Sequence, residues 1–349
     1  MGLFTVTTLD VLTMGRIGVD IYPLQPGIGL QDVEAFGKFL GGSPTNVAVS
    51  AARLGSSSAV ITAVGRDPFG RFCRRELGRL GVFEDHVKVL DGHNTPVTFC
   101  EIFPPDNFPL YFYRRPVAPD MLLTTDDLPL EEIRNCKVFW VTGTGFSTDQ
   151  SCETHFAALE ERGRREHTII DLDYRERFWR RPADARERLH AALAHATIAV
   201  GNVQECQVAV GESDPVRAAR ALLALGLEMA VVKDGPRGAW MMTHDELLQI
   251  PATKVEILNG LGSGDAFGGA LCHGLVHGWD RGEILAAASA AGALVASRLE
   301  CSTAMPTLPE LVRTLRNQPQ PLTRVPLGAD GALPAPDDTA APHPKGGTP

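Results

Sequence analysis

Cysteines in metal-ligand spacing, a membrane-length apolar run and an excess of positive charge are all missing from this sequence, and each absence removes a class of function. The seven cysteines form no C-x-x-C pair, and none stands beside a histidine at ligand spacing. At 349 residues the chain is also far too long for a disulfide-stapled scaffold. Reduced structural thiols, and with them a cytoplasmic setting, are expected. The most membrane-like stretch, Ile284 to Ser297, is Ala-rich, closed by Glu283 and Arg298, and too short to span a bilayer. It reads as a tightly packed core helix. No basic residue precedes Arg16 and no apolar block ends in a cleavage site, so no signal peptide is expected. The formal charge of −9 repels nucleic acid and anionic membranes, so neither is an expected partner. An anionic small molecule must then be held by local Arg, Lys or backbone N–H groups. There is no internal repeat.

What is present is an ordinary globular composition, 44% apolar and 21% charged, long enough for one large domain with a small accessory element. Short apolar runs rich in Val, Ile and Thr occur at Val11–Met14, Ser58–Val64, Lys137–Thr142, Thr168–Leu172, Thr197–Val200 and Glu228–Val232. Helical patterns lie between them at Asn46–Leu54, Phe69–Leu80, Ser151–Arg162, Arg186–Ala194 and Pro215–Leu225. Alternation of this kind predicts an α/β domain, a doubly wound, mainly parallel sheet with helices on both faces. Two stretches, 18–40 and 95–115, have no helical period and partial alternation instead. They predict a small β-sheet laid over one end of the main sheet as a lid, with an edge hairpin as the plainer alternative. The domain is expected to run over 1–317. The stretch 318–349, dense in Pro, Gly, Ala and Asp, is expected to be a disordered tail.

The strongest chemical signal runs from Asn259 through Gly262, Ser263, Gly264 and Asp265 into a small-residue apolar stretch. Its glycines permit a sharp turn, and the run that follows predicts a buried helix. Together they aim several N–H groups and a positive helix end at one point, suited to a phosphate in transfer. An Asp there can take the proton of an attacking hydroxyl. A helix N-cap is the competing explanation. The second signal is Gly41-Gly42-Ser43-Pro44-Thr45-Asn46, where the glycines allow close approach of a ligand and Asn46 can both donate to and accept from hydroxyls. Upstream, Asp20 follows the first strand and can bind a pair of hydroxyls.

The G-G-x-x-x-N-x-A and G-x-G-D motifs, set in this α/β pattern, resemble the ribokinase-like (PfkB) carbohydrate kinases over nearly everything from Leu9 to Leu315. That resemblance implies ATP and Mg²⁺ as cofactors, Asp265 as base and an anion hole around Gly262–Gly264. It implies sugar contacts from Asp20, Gly41, Gly42 and Asn46. Asn202-Val-Gln-Glu205 resembles the motif that organises Mg²⁺ and phosphates, with Glu205 reaching the metal through water. Lys233-Asp-Gly235-Pro-Arg-Gly238 resembles the glycine turn beside the nucleotide, where Lys233 either contacts phosphate or is simply solvated. Many relatives carry Asp-Thr where this chain has Asn259-Gly260, which leaves dependence on a monovalent cation such as K⁺ open.

Two basic sites bear on the substrate. Tyr113 and Arg114 lie in the expected lid, and Asp171-Leu-Asp173-Tyr174-Arg175 closes a strand. Arg is suited to bidentate recognition of a carboxylate, which neutral sugars do not carry. Similar patterns occur in relatives that act on keto-deoxy sugar acids. Segments at Asp91, Asp171 and Cys301 resemble the 5-dehydro-2-deoxygluconokinases, enzymes of inositol breakdown that phosphorylate the 6-hydroxyl of 2-deoxy-5-keto-gluconate. A 2-keto-3-deoxygluconate kinase is the alternative, and a non-catalytic ligand sensor is the alternative of another class. For Arg114 and Arg175 a surface ion pair competes with the functional role. The lid aromatics Phe99, Ile102, Tyr111 and Tyr113 would serve either to cover the substrate or to form a homodimer.

Overall fold

The computed structural model describes residues 8–328. In chain order its first half holds β1 (Val11–Met14), β2 (Gly18–Pro23), β3 (Phe36–Gly41), α1 (Ser43–Leu54), β4 (Ser58–Gly65), α2 (Pro68–Arg79), β5 (Val82–Phe83), β6 (Val87–Leu90), β7 (Val97–Cys100), β8 (Leu110–Tyr113), α3 (Leu130–Asn135), β9 (Val138–Thr142) and α4 (Asp149–Arg162). The second half holds β10 (Thr168–Asp171), α5 (Pro182–Leu193), β11 (Ile198–Asn202), α6 (Val203–Val210), α7 (Pro215–Ala224), β12 (Met229–Lys233), β13 (Ala239–Thr243), β14 (Glu246–Ile250), α8 (Ser263–Val276), α9 (Arg281–Ala296), α10 (Leu308–Asn317) and β15 (Thr323–Pro326).

Among the described residues the main sheet has the order β15-β14-β13-β12-β11-β10-β9-β1-β4-β5, with β6 also paired to β4. From β12 through β4 the strands are parallel. Their residues alternate between two apolar cores, as strands buried on both faces must. Val11, Val138 and Trp140 pack on one side with α1, α8 and α9 residues. Leu12, Met14, Phe139 and Val141 pack on the other with residues of α4 to α7. The doubly wound α/β expectation therefore holds.

Two features depart from the sequence reading. The parallel edge continues into the antiparallel hairpin β13–β14, which the search for strand-helix alternation did not register. The stretch expected to be a tail from residue 318 contributes β15, which pairs with β14 and buries Val325 partly against the core. Four residues suffice here because the neighbouring strand supplies the backbone partners that composition alone does not reveal. The remainder of that stretch, 329–349, lies outside the described residues.

A second sheet, β3-β2-β7-β8, forms from the two stretches expected to make the lid. It sits on a small apolar cluster of Tyr22, Cys100, Ile102 and Cys301, flanked by Phe108 and Leu261. Beneath it, α1 and α8 cross closely because Gly268 and Gly269 carry no side chain. A Cβ on Gly268 would lie 2.7 Å from the Trp140 ring, and one on Gly269 only 2.2 Å from Ser50 Cβ. Gly269→Val should therefore force the two helices apart. A loss of about 1–3 kcal/mol, the usual cost of overpacking a core, is expected in equilibrium denaturant unfolding. An unchanged midpoint would show that the crossing is slack.

Candidate active site

The first turns of α1 and α8 meet at the carboxyl ends of the parallel strands, the usual place for a ligand crevice in such a sheet. The chain enters α8 through Gly262, whose φ of +79° is left-handed, and a Cβ there would meet Cys301 Sγ at 2.8 Å. The loop before it is held by buried Asn259, which accepts from the Leu261 N–H at 3.0 Å and donates to the Leu299 carbonyl at 2.7 Å. Ser263 Oγ donates to the Gly260 carbonyl at 2.8 Å. The N–H groups of Gly264 and Asp265, in the first turn of α8, are left without helical acceptors, as helix geometry requires.

Asp265 is gripped from α1. Ser43 Oγ donates to one carboxylate oxygen at 2.7 Å and Asn46 Nδ2 to the other at 2.8 Å. The two donors share a face because α1 begins at Ser43, three residues before the start read from the sequence, which puts Ser43 one turn ahead of Asn46 on the same helix. Asn46 Oδ1 in turn accepts from Ser302 Oγ at 2.6 Å. Burial raises the Asp265 pKa, while Asn46 and Ser43 pull it down.

Asp20, on β2, accepts from Tyr22 Oη at 3.0 Å, and Tyr22 Oη also contacts Cys301 Sγ at 2.6 Å. Burial pushes Asp20 up to about 6, opposed by Tyr22 and Arg16. Gly41 and Gly42 make room for these groups. A Cβ on Gly41 would overlap the Asp20 carboxyl at 2.2 Å, and one on Gly42, at φ +107°, would meet the Arg16 carbonyl oxygen at 2.3 Å.

On the other side of Asp265 stand Asp171, Glu205 and Lys233. The Asn202–Glu205 motif is the N-cap of α6. Asn202 Oδ1 accepts from the N–H groups of Gln204 and Glu205, both at 2.9 Å, and Glu205 Oε2 accepts from the Asn202 N–H at 2.8 Å. Glu205 Oε1 is left over. Burial raises the pKa of Glu205 and lifts Asp171 to about 7, with Lys233 opposing both. Burial works against the Lys233 charge, but Asp171 and Glu205 hold its pKa above the ordinary value. Lys233 is thus partly buried among carboxylates, not merely solvated. Its Nζ lies 3.4 Å from where a Cβ on Gly264 would stand. Gly235 and Gly238, at φ +50° and +102°, turn the chain between β12 and β13. These residues, Ser43 and the Gly262–Asp265 turn line one cleft of about 540 Å³, walled on the far side by apolar Val255, Ile257 and Ala293.

A third corner is cationic and aromatic. Arg114 pairs with buried Asp120 at 2.5 Å and lies over the Phe178 ring at 5.4 Å. Arg175 Nη2 stands 3.0 Å from Asp173. The same carboxylate accepts from Arg16 Nη2 at 2.8 Å and from Thr144 Oγ1 at 2.9 Å. Burial would raise Asp173, but Arg16 and Arg175 bring its pKa below the ordinary value. Tyr113 is not brought to this corner. It is 65% exposed and stacks edge-on with Phe99 at 5.4 Å, on the lid face opposite Phe112, since successive strand residues point to opposite faces. Phe112 faces inward instead, 4.9 Å from Phe178. Sequence reasoning missed Ser43, Arg16, Phe112, Phe178 and Ser302. Ser43, Arg16, Phe112 and Ser302 sat inside segments that were singled out, so the signal was local; Phe178 had none.

Comparison with known proteins places the chain. The profile of the pfkB family carbohydrate kinases matches residues 8–308. A 5-dehydro-2-deoxygluconokinase of Photobacterium profundum is 32% identical over 323 residues, covering 90% of this chain and 97% of its own length. One of Clostridium tetani is 30% identical over 318 residues, with 89% and 94% covered. Among solved structures, a fructokinase double mutant of Vibrio cholerae O395, in a form with fructose, ADP and potassium ion bound, superposes with a TM-score of 0.79 at 25% identity, covering 88% of this chain and 99% of that one. With the family profile spanning all three corners of the cleft from β1 to α10, the chain belongs to the pfkB family of carbohydrate kinases, enzymes that phosphorylate a sugar.

Proposed function

We propose that this kinase transfers the γ-phosphoryl group of ATP to the 6-hydroxyl of 2-deoxy-5-keto-gluconate, with Asp265 as general base. One observation carries the reading: a half-buried carboxylate, held by two donors at the positive end of α8, lies between a lysine-bearing cleft and a cationic corner. In the reaction the hydroxyl proton passes to Asp265, the sugar oxygen bonds to Pγ, and the bond from Pγ to the ADP oxygen breaks. Lys233 and the free N–H groups of Gly264 and Asp265 suit the charge that builds on the phosphoryl oxygens. Asp20 and Asn46 suit the sugar hydroxyls, and Gly235 and Gly238 the turn beside the nucleotide.

Residues for Mg²⁺ fit as well. Glu205 keeps one carboxylate oxygen free of its capping role, and Asn202 stands beside it, so the pair would hold a hydrated ion whose charge neutralises the phosphates. Asn259 offers only a neutral amide with both ends already bonded, and no K⁺ requirement enters this reading. The names of the relatives and the guanidinium corner together favour a sugar acid over a neutral sugar. In a coupled ADP-release assay with ATP and Mg²⁺, 2-deoxy-5-keto-gluconate should exceed 2-keto-3-deoxygluconate, ribose and fructose in kcat/KM by at least about tenfold, or about 1.4 kcal/mol. Preference for another sugar would discard the substrate and leave the kinase; no turnover of any would favour a ligand sensor.

Asp265→Asn should lower kcat by roughly 10²–10⁴-fold, the scale of a lost general base. A variant with near-normal turnover would remove Asp265 from that role. The pH dependence follows from the same groups. Asp265 must be ionised to accept a proton, and its raised pKa moves the loss of activity upward from the ordinary carboxylate range. Asp20, at about 6, must likewise be ionised to accept from sugar hydroxyls. The acid limb of kcat/KM for the sugar should thus be full above neutrality and fall as pH drops through about 6. A profile flat down to pH 5 would contradict it.

A further inference from the structure

Three guanidinium groups converge on the Phe178 ring or on Asp173, but they are not equivalent. Arg114 already has a carboxylate of its own in Asp120, whose side chain is 1% exposed. Arg16 and Arg175 share one carboxylate, Asp173. Two cations thus share one direct carboxylate partner, Arg16 with its side chain 8% exposed and Arg175 more open at 38%, and it is the buried Arg16 charge that is costly unless fully paired. Donors are left over as well. Arg175 Nε is buried with no hydrogen-bond partner, and Arg16 bonds through Nε and Nη2, leaving Nη1 without an acceptor among the described residues.

Arg16 is also the most firmly built of the three. Its carbonyl accepts from Thr45 Oγ1 at 2.9 Å and is crowded by the backbone of Gly42. Its Nε donates to Thr144 Oγ1 at 3.0 Å. Its guanidinium lies between Phe178, at 5.6 Å, and the lid residue Phe112, at 6.0 Å. The residue is 7% exposed, and its charge lowers the pKa of both Asp20 and Asp265. It therefore stands within the footprint that runs from the hydroxyl-binding carboxylate to the base.

We propose that Arg16 and Arg175, locked together on Asp173, form the seat of the substrate's carboxylate, with Arg16 the specificity-determining residue and Arg114 a structural support outside that seat. Asp173 is a positioning residue that holds the two forks. This rests on the sugar-acid reading above. Flat, fixed forks suit a carboxylate, and a point charge on a flexible stem does not replace them.

The test uses the full chain with Arg16→Gln, Arg16→Lys and, for comparison, Arg114→Lys, each checked by its thermal midpoint. ADP release is measured against 2-deoxy-5-keto-gluconate and against ATP. The acid KM should rise at least tenfold in both Arg16 variants with the ATP KM within twofold, and Arg114→Lys should move it less. Should Arg16→Gln fail to fold, the charge-conserving lysine variant decides. An unchanged acid KM, a parallel rise in both KM values, or a larger effect from Arg114→Lys overturns the seat while the substrate reading stands. A wild-type enzyme that prefers fructose overturns both.

Discussion

Keeping one half-buried carboxylate ionised is the constraint around which this site is arranged. Asp265 is half-buried at the start of α8, and burial pushes its pKa up. Ser43 and Asn46 oppose that, and they reach it only because α1 and α8 cross at a pair of glycines. The small-residue composition of α8 is thus a requirement of the chemistry as well as of packing. Ser302 extends the same logic outward. Its single hydroxyl proton is shared between the Leu40 carbonyl at 2.5 Å and Asn46 Oδ1 at 2.6 Å, while the acceptor-only Asp265 carboxylate is what turns the amide nitrogen towards it.

The remaining charges are sorted by position. Lys233 faces Asp171 and Glu205 at the mouth of the nucleotide cleft, where a divalent ion and phosphates would join them. Asp20 stands apart with a phenol as its donor, which leaves it with a pKa near 6. Asp173 has arginines on two sides and is the carboxylate pulled down despite full burial. The carboxylates of one site are therefore shifted in different directions, Asp20 and Asp171 up and Asp173 down, set by which neighbours each has. On the proposed reading, the arginine-paired Asp173 would stay a cation anchor at pH values where Asp20 begins to take up a proton.

What could be read from the sequence follows chain distance. The turn at Gly262–Asp265, the Asn202–Glu205 cap and the strand-helix alternation are local, and local rules found them. The partners of those groups are not. Arg16 and Asp173 are 157 residues apart, and Asn46 and Ser302 are 256 apart. No spacing rule links such pairs; only the order of strands in the sheet does. Tyr113 was singled out with Arg114 as a Tyr-Arg pattern, yet the strand's alternation turned Phe112 inward and Tyr113 outward. Gly41 and Gly42 were read as places where a ligand approaches. The same lack of side chains also admits atoms of the protein itself, the Asp20 carboxyl at Gly41 and the Arg16 carbonyl at Gly42.

The small sheet ties these parts into one device. Phe112 on β8 caps the Arg16 guanidinium, β2 carries Asp20 and Tyr22, and Phe108 in the turn between β7 and β8 lies 3.0 Å from where a Cβ on Gly260 would stand. The sheet thus touches the arginine corner, Asp20 and the loop that leads into α8. On the proposed reading, a ligand that drew the sheet down on one of these would draw it down on all three. Because its inner cluster of Tyr22, Cys100 and Ile102 is apolar, the same movement would exclude water as the phosphate acceptor. An acid seated against Arg16 would then bring its far hydroxyl to Asp265 in a site already dry, whereas ATP alone supplies no contact at the acid corner to bring the sheet down.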